Sequence, residues 1–263
     1  FVLHKGVAGV ATATVISRII NLVIVVLLGA VLVKAKQHPE RESNRAVMGQ
    51  IIRIGLPSAC ETAIYNVSMT LVIRFLNQMD AQGLNVTARS YTMQITNFSY
   101  CVGAALAQAN AIMTGWHIGA KEYDACDRGT RKAAIIGVIV AVILETMFAL
   151  CSGWIMQLFS KDPQMVSLVG KLLAIDIVLE MGRVTNLVYG QALKTSGDAV
   201  FPVVMGACFM ILCSVGGTYL FGIRLGLLAV GAYIGMAGDE CVRAVGMYLR
   251  WKSGKWKNKG LVD

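Results

Sequence analysis

Apolar runs alternate with short polar segments along all 263 residues, and the alternation predicts seven membrane-spanning helices. The runs cover residues 7–33, 50–78, 84–118, 133–159, 164–193, 199–222 and 226–249, here called spans A to G. A soluble domain of this length hides one core, whereas several separate runs of roughly 20 or more residues need a bilayer to cover them. Some runs exceed the bilayer minimum, which predicts tilt or extension beyond the hydrocarbon. Connections are short apart from the hydrophilic stretch between Lys34 and Arg45. The expected fold class is therefore an all-α polytopic membrane protein with about seven transmembrane helices.

The charges between the spans give an orientation. Lys34, Lys36, Arg41 and Arg45 follow span A, while Lys121, Arg128, Arg131 and Lys132 follow span C. Lys194 follows span E, and Arg250, Lys252, Lys255, Lys257 and Lys259 follow span G. On the other side the B–C connection has no Lys or Arg, D–E has Lys161 and F–G has Arg224. The positive-inside rule makes the basic set cytoplasmic, so span A runs inward and the C-terminus is cytoplasmic. A miscount of one span would have scrambled this alternation.

Composition agrees with the pattern. The chain is 56% hydrophobic and 15% charged, with a mean hydropathy of +0.63, against about 25% charge in a soluble domain. Its net charge of +9 belongs to the loops and lacks any nucleic-acid motif, which excludes nucleic acid as a partner. Seven cysteines stand singly, without CxxC or a His partner, and read as small packing residues. No nucleophile with its base, metal-ligand set or phosphate loop is present, so neither an enzyme nor a cofactor is expected. The chain opens on Phe1 and enters span A without a signal-peptide pattern, the expectation for a fragment.

A charge in hydrocarbon costs at least about 2.5 kcal/mol, so ionisable residues inside the spans are candidate functional groups. They are Arg18, Glu61, Lys171, Asp176, Glu180, Arg183, Asp239, Glu240 and Arg243. With a rise of about 1.5 Å per residue, Glu61 lies about 12 Å inside the membrane, and Glu180, Arg183, Asp239 and Arg243 fall in the same layer. Asp239 and Arg243 stand at i and i+4, Glu180 and Arg183 at i and i+3, so each pair shares a helix face and can compensate itself. Glu61 has no basic neighbour on its own helix; it must find a partner across the bundle or exchange a proton or cation. If all are ionised the layer is acidic on balance, which attracts cations. Asn66, Gln94, Asn97, Tyr100, Gln108, Asn110 and Asn186 are candidates to line a cavity or to bond between helices. Pro57, one turn before Glu61, removes a backbone hydrogen bond and can bend span B.

Several stretches carry a family resemblance. IRIGLPSACETAIYN in span B resembles the seventh helix of the multidrug and toxic compound extrusion (MATE) family, where Gly-Leu-Pro precedes an acidic residue or Gln. ALAQANAIMTGWHIGAKEYDACDRGTRKA resembles the end of the eighth helix and the next loop. EMGRVTNLVYGQALKTSGDAVFPV resembles the tenth helix and its Leu-Arg-x-x-Gly-Asp loop, with Lys194 in place of Arg, and LGLLAVGAYIGMAGDECVRAVGMYLRWKSGKW resembles the twelfth. The resemblance implies two six-helix lobes: residues 1–33 as the last helix of the N-terminal lobe, 34–49 as the linker, 50–249 as the whole C-terminal lobe, and 250–263 as a basic cytoplasmic tail. It also implies export of cationic or amphiphilic compounds by alternating access, in exchange for Na⁺ or H⁺.

Glu61 falls where some branches of the family carry a cation-linked carboxylate, making it the candidate Na⁺ ligand, with Glu180, Arg183, Asp239 and Arg243 as its supporting network. Arg183 stands near the acidic position of the family's tenth helix, so an ion pair between Glu61 and Arg183 is an equal expectation. Expected partners are small-molecule substrates, the bilayer and the missing N-terminal lobe, in a bacterial inner membrane. A lipid-linked oligosaccharide flippase of the same superfamily, favouring a more basic cavity, and a non-transporting helical membrane protein remain as alternatives.

Overall fold

The structure, a computed structural model, describes residues 6–32, 44–80 and 82–259. Among these residues there are helices and no strands. Residues 1–48 and 49–263 form separate units. The first contains α1 (Gly6–Leu32), whose stretch Ala11–Gly29 is strongly apolar and uncovered within the chain.

The second unit is a helical bundle. It holds α2 (Asn44–Met79) from Gly49 onward, α3 (Leu84–Gly119), α4 (Tyr123–Leu150), the single turn and a half of α5 (Ser152–Met156), α6 (Pro163–Thr195), α7 (Val200–Phe209) and α8 (Leu228–Lys252). Beyond Phe209, α7 continues unbroken through π-helical stretches at Met210–Val215 and Thr218–Arg224 to make a 25-residue apolar span. Helix α2 begins at Asn44, six residues ahead of span B, and stays helical through Pro57. The rest of the expected linker, residues 34–43, lies outside the described residues. At about 1.5 Å per residue, the 36 residues of α3 reach well past a 30 Å hydrocarbon layer.

Span D is the one span whose position shifts. In place of 133–159 the helix runs Tyr123–Leu150. Its polar first turns are helical because Cys126 and Thr130 continue the buried stripe of Ala134, Gly137, Ala141 and Glu145, at the three- and four-residue spacing of one helix face. The chain then turns at Cys151. Helix α6 starts on Asp162, whose carboxylate accepts the Gln164 amide at 3.0 Å, followed by Pro163 in the first turn.

The stretch of α4 after Lys132, apolar apart from Glu145, and the apolar span of α7 with its π-helical continuation are largely uncovered, which is the condition of a lipid-facing helix. Helices α6 and α8 are the most enclosed, so their buried charges Asp176, Glu180, Asp239, Glu240 and Arg243 face the middle of the bundle, whereas Lys171 of α6 is exposed. Glycines allow the close approach there. A Cβ on Gly182 of α6 would stand 2.8 Å from the backbone of Glu240 and Cys241 on α8, and Gly217 and Gly235 meet in the same way between α7 and α8. Two apolar clusters result. One gathers Leu76, Met156, Leu172, Leu179 and Tyr233; the other gathers Ala107, Val188, Leu193, Met247, Trp251 and Trp256. Along α6 and α8 the charges of Glu180 and Arg183 and of Asp239, Glu240 and Arg243 fall between them.

Candidate functional site

A cavity of about 680 Å³ opens within the second unit, walled by α2, α3, α6, α7 and α8. From α2 it takes the stripe Ser58, Glu61, Thr62, Tyr65, Asn66 and Met69; from α6 it takes Asp176, Arg183, Asn186, Gly190, Gln191 and Lys194. Both series recur at the one-, three-, four- and seven-residue spacings of a single helix face. Helix α8 adds Tyr233, Glu240 and Arg243, and α3 adds Arg89, Met93, Thr96, Asn97 and Tyr100.

Ion pairs organise this wall. The Lys194 ammonium donates to Oε2 of Glu61 at 2.6 Å, with each side chain about 20% exposed. Deeper in, Arg183 donates to Glu180 at 2.8 Å and approaches Glu240 at 3.8 Å. Arg243 grips Asp239 through Nε at 2.9 Å and Nη2 at 2.8 Å, and reaches Glu240 at 2.7 Å. Asn186 donates to the other oxygen of Glu240 at 3.1 Å, and Ser214 of α7 donates to Asp239 at 2.9 Å. Glu240 thus joins the Glu180–Arg183 and Asp239–Arg243 pairs into one network across α6, α7 and α8. The Arg183 guanidinium also lies 5.8 Å over the Tyr100 ring.

Not every buried polar atom is satisfied. Both carboxylate oxygens of Glu145, Oδ2 of Asp176, Oε1 of Glu180 and Nε of Arg89 have no hydrogen-bond partner. Arg89 makes only a 3.7 Å contact from Nη2 to the Met69 sulfur. Among the described residues no group of three or more His, Cys, Asp or Glu side chains is placed to hold a metal ion.

Comparison with known proteins fixes the family. The family model described as MatE matches residues 57–220, from Pro57 of α2 into the second π-helical stretch of α7. The chain belongs to the MatE family. YisQ of Bacillus subtilis, an uncharacterized transporter, is 34% identical over 259 residues, covering 98% of this chain and 56% of YisQ. NorM of Thermotoga maritima, named as a probable multidrug resistance protein, is 22% identical over 266 residues with the same coverage. A crystal structure of MATE in the straight conformation has the same fold, with a TM-score of 0.80 at 18% identity over 98% of this chain and 59% of that one. The MatE chain is an integral membrane protein that spans a little over half the length of these relatives.

Within the MatE bundle, Asn66, Asn97, Tyr100 and Asn186 line the cavity together with Glu61, Arg183 and Arg243. Glu180 and Asp239 sit behind the wall, bonded to the two arginines that form it. Gln94 is a correction: the cavity face of α3 is Met93, Thr96, Asn97 and Tyr100, and a step of about 100° per residue turns Gln94 off it, where it is exposed.

The expected pair between Glu61 and Arg183 is a second correction, because Arg183 is engaged by Glu180 and Glu240 and Glu61 is engaged by Lys194. Lys194, read from sequence as a loop charge, belongs to the last turn of α6 and points into the cavity. The charge balance also differs. The wall carries Glu61, Asp176 and Glu240 against Arg89, Arg183, Lys194 and Arg243, and becomes net negative only with Glu180 and Asp239 behind it.

Two buried charged residues escaped the sequence reading. Glu145 lies in the middle of the apolar run of α4 and is fully buried. Arg89 lies two turns into α3 and is buried. The intramembrane-charge criterion that found Glu61 applies equally to both.

Proposed function

We propose that the protein to which this chain belongs is a secondary active exporter of cationic or amphiphilic compounds, driven by exchange for Na⁺ or H⁺. One observation carries the proposal: a carboxylate on α2 faces a cavity large enough for a drug-sized molecule, and its countercharge sits on a different helix. In this reading Glu61 exchanges partners. A cation or proton entering the cavity displaces Lys194 from Glu61, and the freed ammonium repels a cationic substrate, which leaves. The Glu180–Arg183–Glu240–Arg243–Asp239 network, with Ser214 on Asp239, holds α6, α7 and α8 together while α2 moves. The second lobe expected from the family would close the other side of the cavity, and the two would alternate access.

The flippase reading draws on the four basic residues of the wall. Three of them are paired with carboxylates, which favours the exporter.

The test is transport by the full-length protein in proteoliposomes loaded with a cationic dye. An imposed inward Na⁺ or H⁺ gradient is expected to drive dye export; dye movement indifferent to both gradients would contradict the proposal.

A further inference from the structure

A second, smaller cavity of about 240 Å³ lies where the first turns of α4, the later part of α6 and the end of α8 come together. Its walls are largely aromatic. Trp251 and Trp256 stack with ring centroids 4.2 Å apart and planes 9° from parallel. Each indole N–H is spent inside the protein: Trp251 donates to Asp127 at 2.8 Å and Trp256 to the Trp251 carbonyl at 3.0 Å. Tyr189 meets Tyr248 edge-on at 5.6 Å. Although only 4% exposed, Tyr189 has a hydroxyl without a hydrogen-bond partner among the described residues, and that residue lines the cavity.

The charges are unbalanced. Arg131, Lys252 and Lys257 line the cavity with one carboxylate, Asp127. Asp127 already accepts the Trp251 indole and lies 3.9 Å from Arg131. Lys257 is held over the rings of Tyr123 at 6.0 Å and Trp256 at 5.7 Å, and neither it nor Lys252 has a carboxylate within 4 Å among the described residues. Two exposed ammonium groups with no carboxylate partner among the described residues, a guanidinium and the Tyr189 hydroxyl around one small cavity suit a tetrahedral oxyanion.

Lipid is the source that the surroundings favour. Ile135, one helical turn beyond Arg131 on the same face of α4, is 53% exposed, and Ile139 continues that face with equal exposure. A row of uncovered isoleucines leading away from the charged cavity offers acyl chains a path that a free phosphate does not need. The tryptophan and tyrosine walls match the aromatic residues enriched at membrane interfaces, and anionic lipids attract adjoining basic groups.

We propose that this pocket binds the phosphate of an anionic phospholipid from the surrounding leaflet. The inference rests on α4 and α8 being membrane spans, and it is independent of the transport reading.

The protein is purified in detergent, and its melting temperature is followed as phosphatidylglycerol, phosphatidylcholine or inorganic phosphate is added. Phosphatidylglycerol is expected to stabilise at concentrations about tenfold or more below phosphatidylcholine. The double variant Lys252→Gln/Lys257→Gln is expected to lose that preference. Lys257→Arg should keep it, as should Lys255→Gln, an exposed change outside the pocket. A double variant that still prefers phosphatidylglycerol overturns the site. Inorganic phosphate that stabilises as well, and displaces the lipid, overturns the lipid as its occupant.

Discussion

Lys194 and Glu61, 133 residues apart in sequence, meet at 2.6 Å and tie the last turn of α6 to the cavity face of α2. The pair is half sheltered, so its strength lies between that of an exposed ion pair and a buried one. A double-mutant cycle with Glu61→Gln and Lys194→Met, read by thermal unfolding, should give a coupling of about 1–2 kcal/mol. Additive single effects would show that the two do not interact in the membrane.

Gly182 sits where α6 crosses α8 with no room for a side chain. Gly182→Ala pushes against backbone rather than against a flexible side chain, and should cost about 1–3 kcal/mol of stability. Gly238, on the same helix α8 with open space around its Cα, is the control: Gly238→Ala should be neutral or should stabilise by up to about 1 kcal/mol through helix propensity. Equal losses at the two positions would refute the close crossing.

Asp198, in the connection between α6 and α7, is buried and held by Arg250 at 2.6 Å and Lys259 at 2.7 Å. Burial pushes its carboxyl up, but the hydrogen bonds and charges of these two residues outweigh burial and hold it below the ordinary carboxylate range. A carboxyl titrating lower in the folded than in the unfolded state stabilises above the unfolded value, near pH 4, and loses that contribution as pH falls through the folded value. Asp198→Asn should therefore cost about 2 kcal/mol at pH 7, and the gap between variant and wild type should shrink below about pH 4. A gap that is constant with pH would mean that the Asp198 charge contributes nothing.

Glu145 is enclosed on α4 with both carboxylate oxygens unbonded. Replacing an orphaned buried carboxyl by an apolar group of similar size removes a desolvation cost, so Glu145→Met should leave the melting temperature unchanged or raise it. A fall of several degrees would reveal partners for the carboxylate.

The helices were legible in the sequence because a bilayer enforces long apolar runs, and six of seven spans fall close to their expected positions. Span D moved because the helix is read from hydropathy, whereas its start is fixed by Cys126 packing in the cluster of Trp251 and Trp256 and by Thr130 accepting a hydrogen bond from Asn110 of α3, contacts that hydropathy does not encode. The local charge pairs were legible as well, since Asp239 with Arg243 and Glu180 with Arg183 need only helical spacing. Pairs between helices were not. Which arginine or lysine answers Glu61 depends on the rotation of α2 against α6, and Lys194, close to the helix end, carried the appearance of an orientation charge. Glu240 shows the same limit: its role in bridging Arg183 and Arg243 exists only once α6 and α8 are in contact.

The exchange of partners at Glu61 is the centre of the account, and gradient-driven export by the full-length protein carrying Glu61→Gln tests it most directly. With an inward Na⁺ or H⁺ gradient imposed on proteoliposomes, the variant should fold and insert as the wild type does yet lose export by about tenfold or more, as expected for an essential intramembrane carboxylate. Undiminished export with the wild-type cation dependence would contradict it.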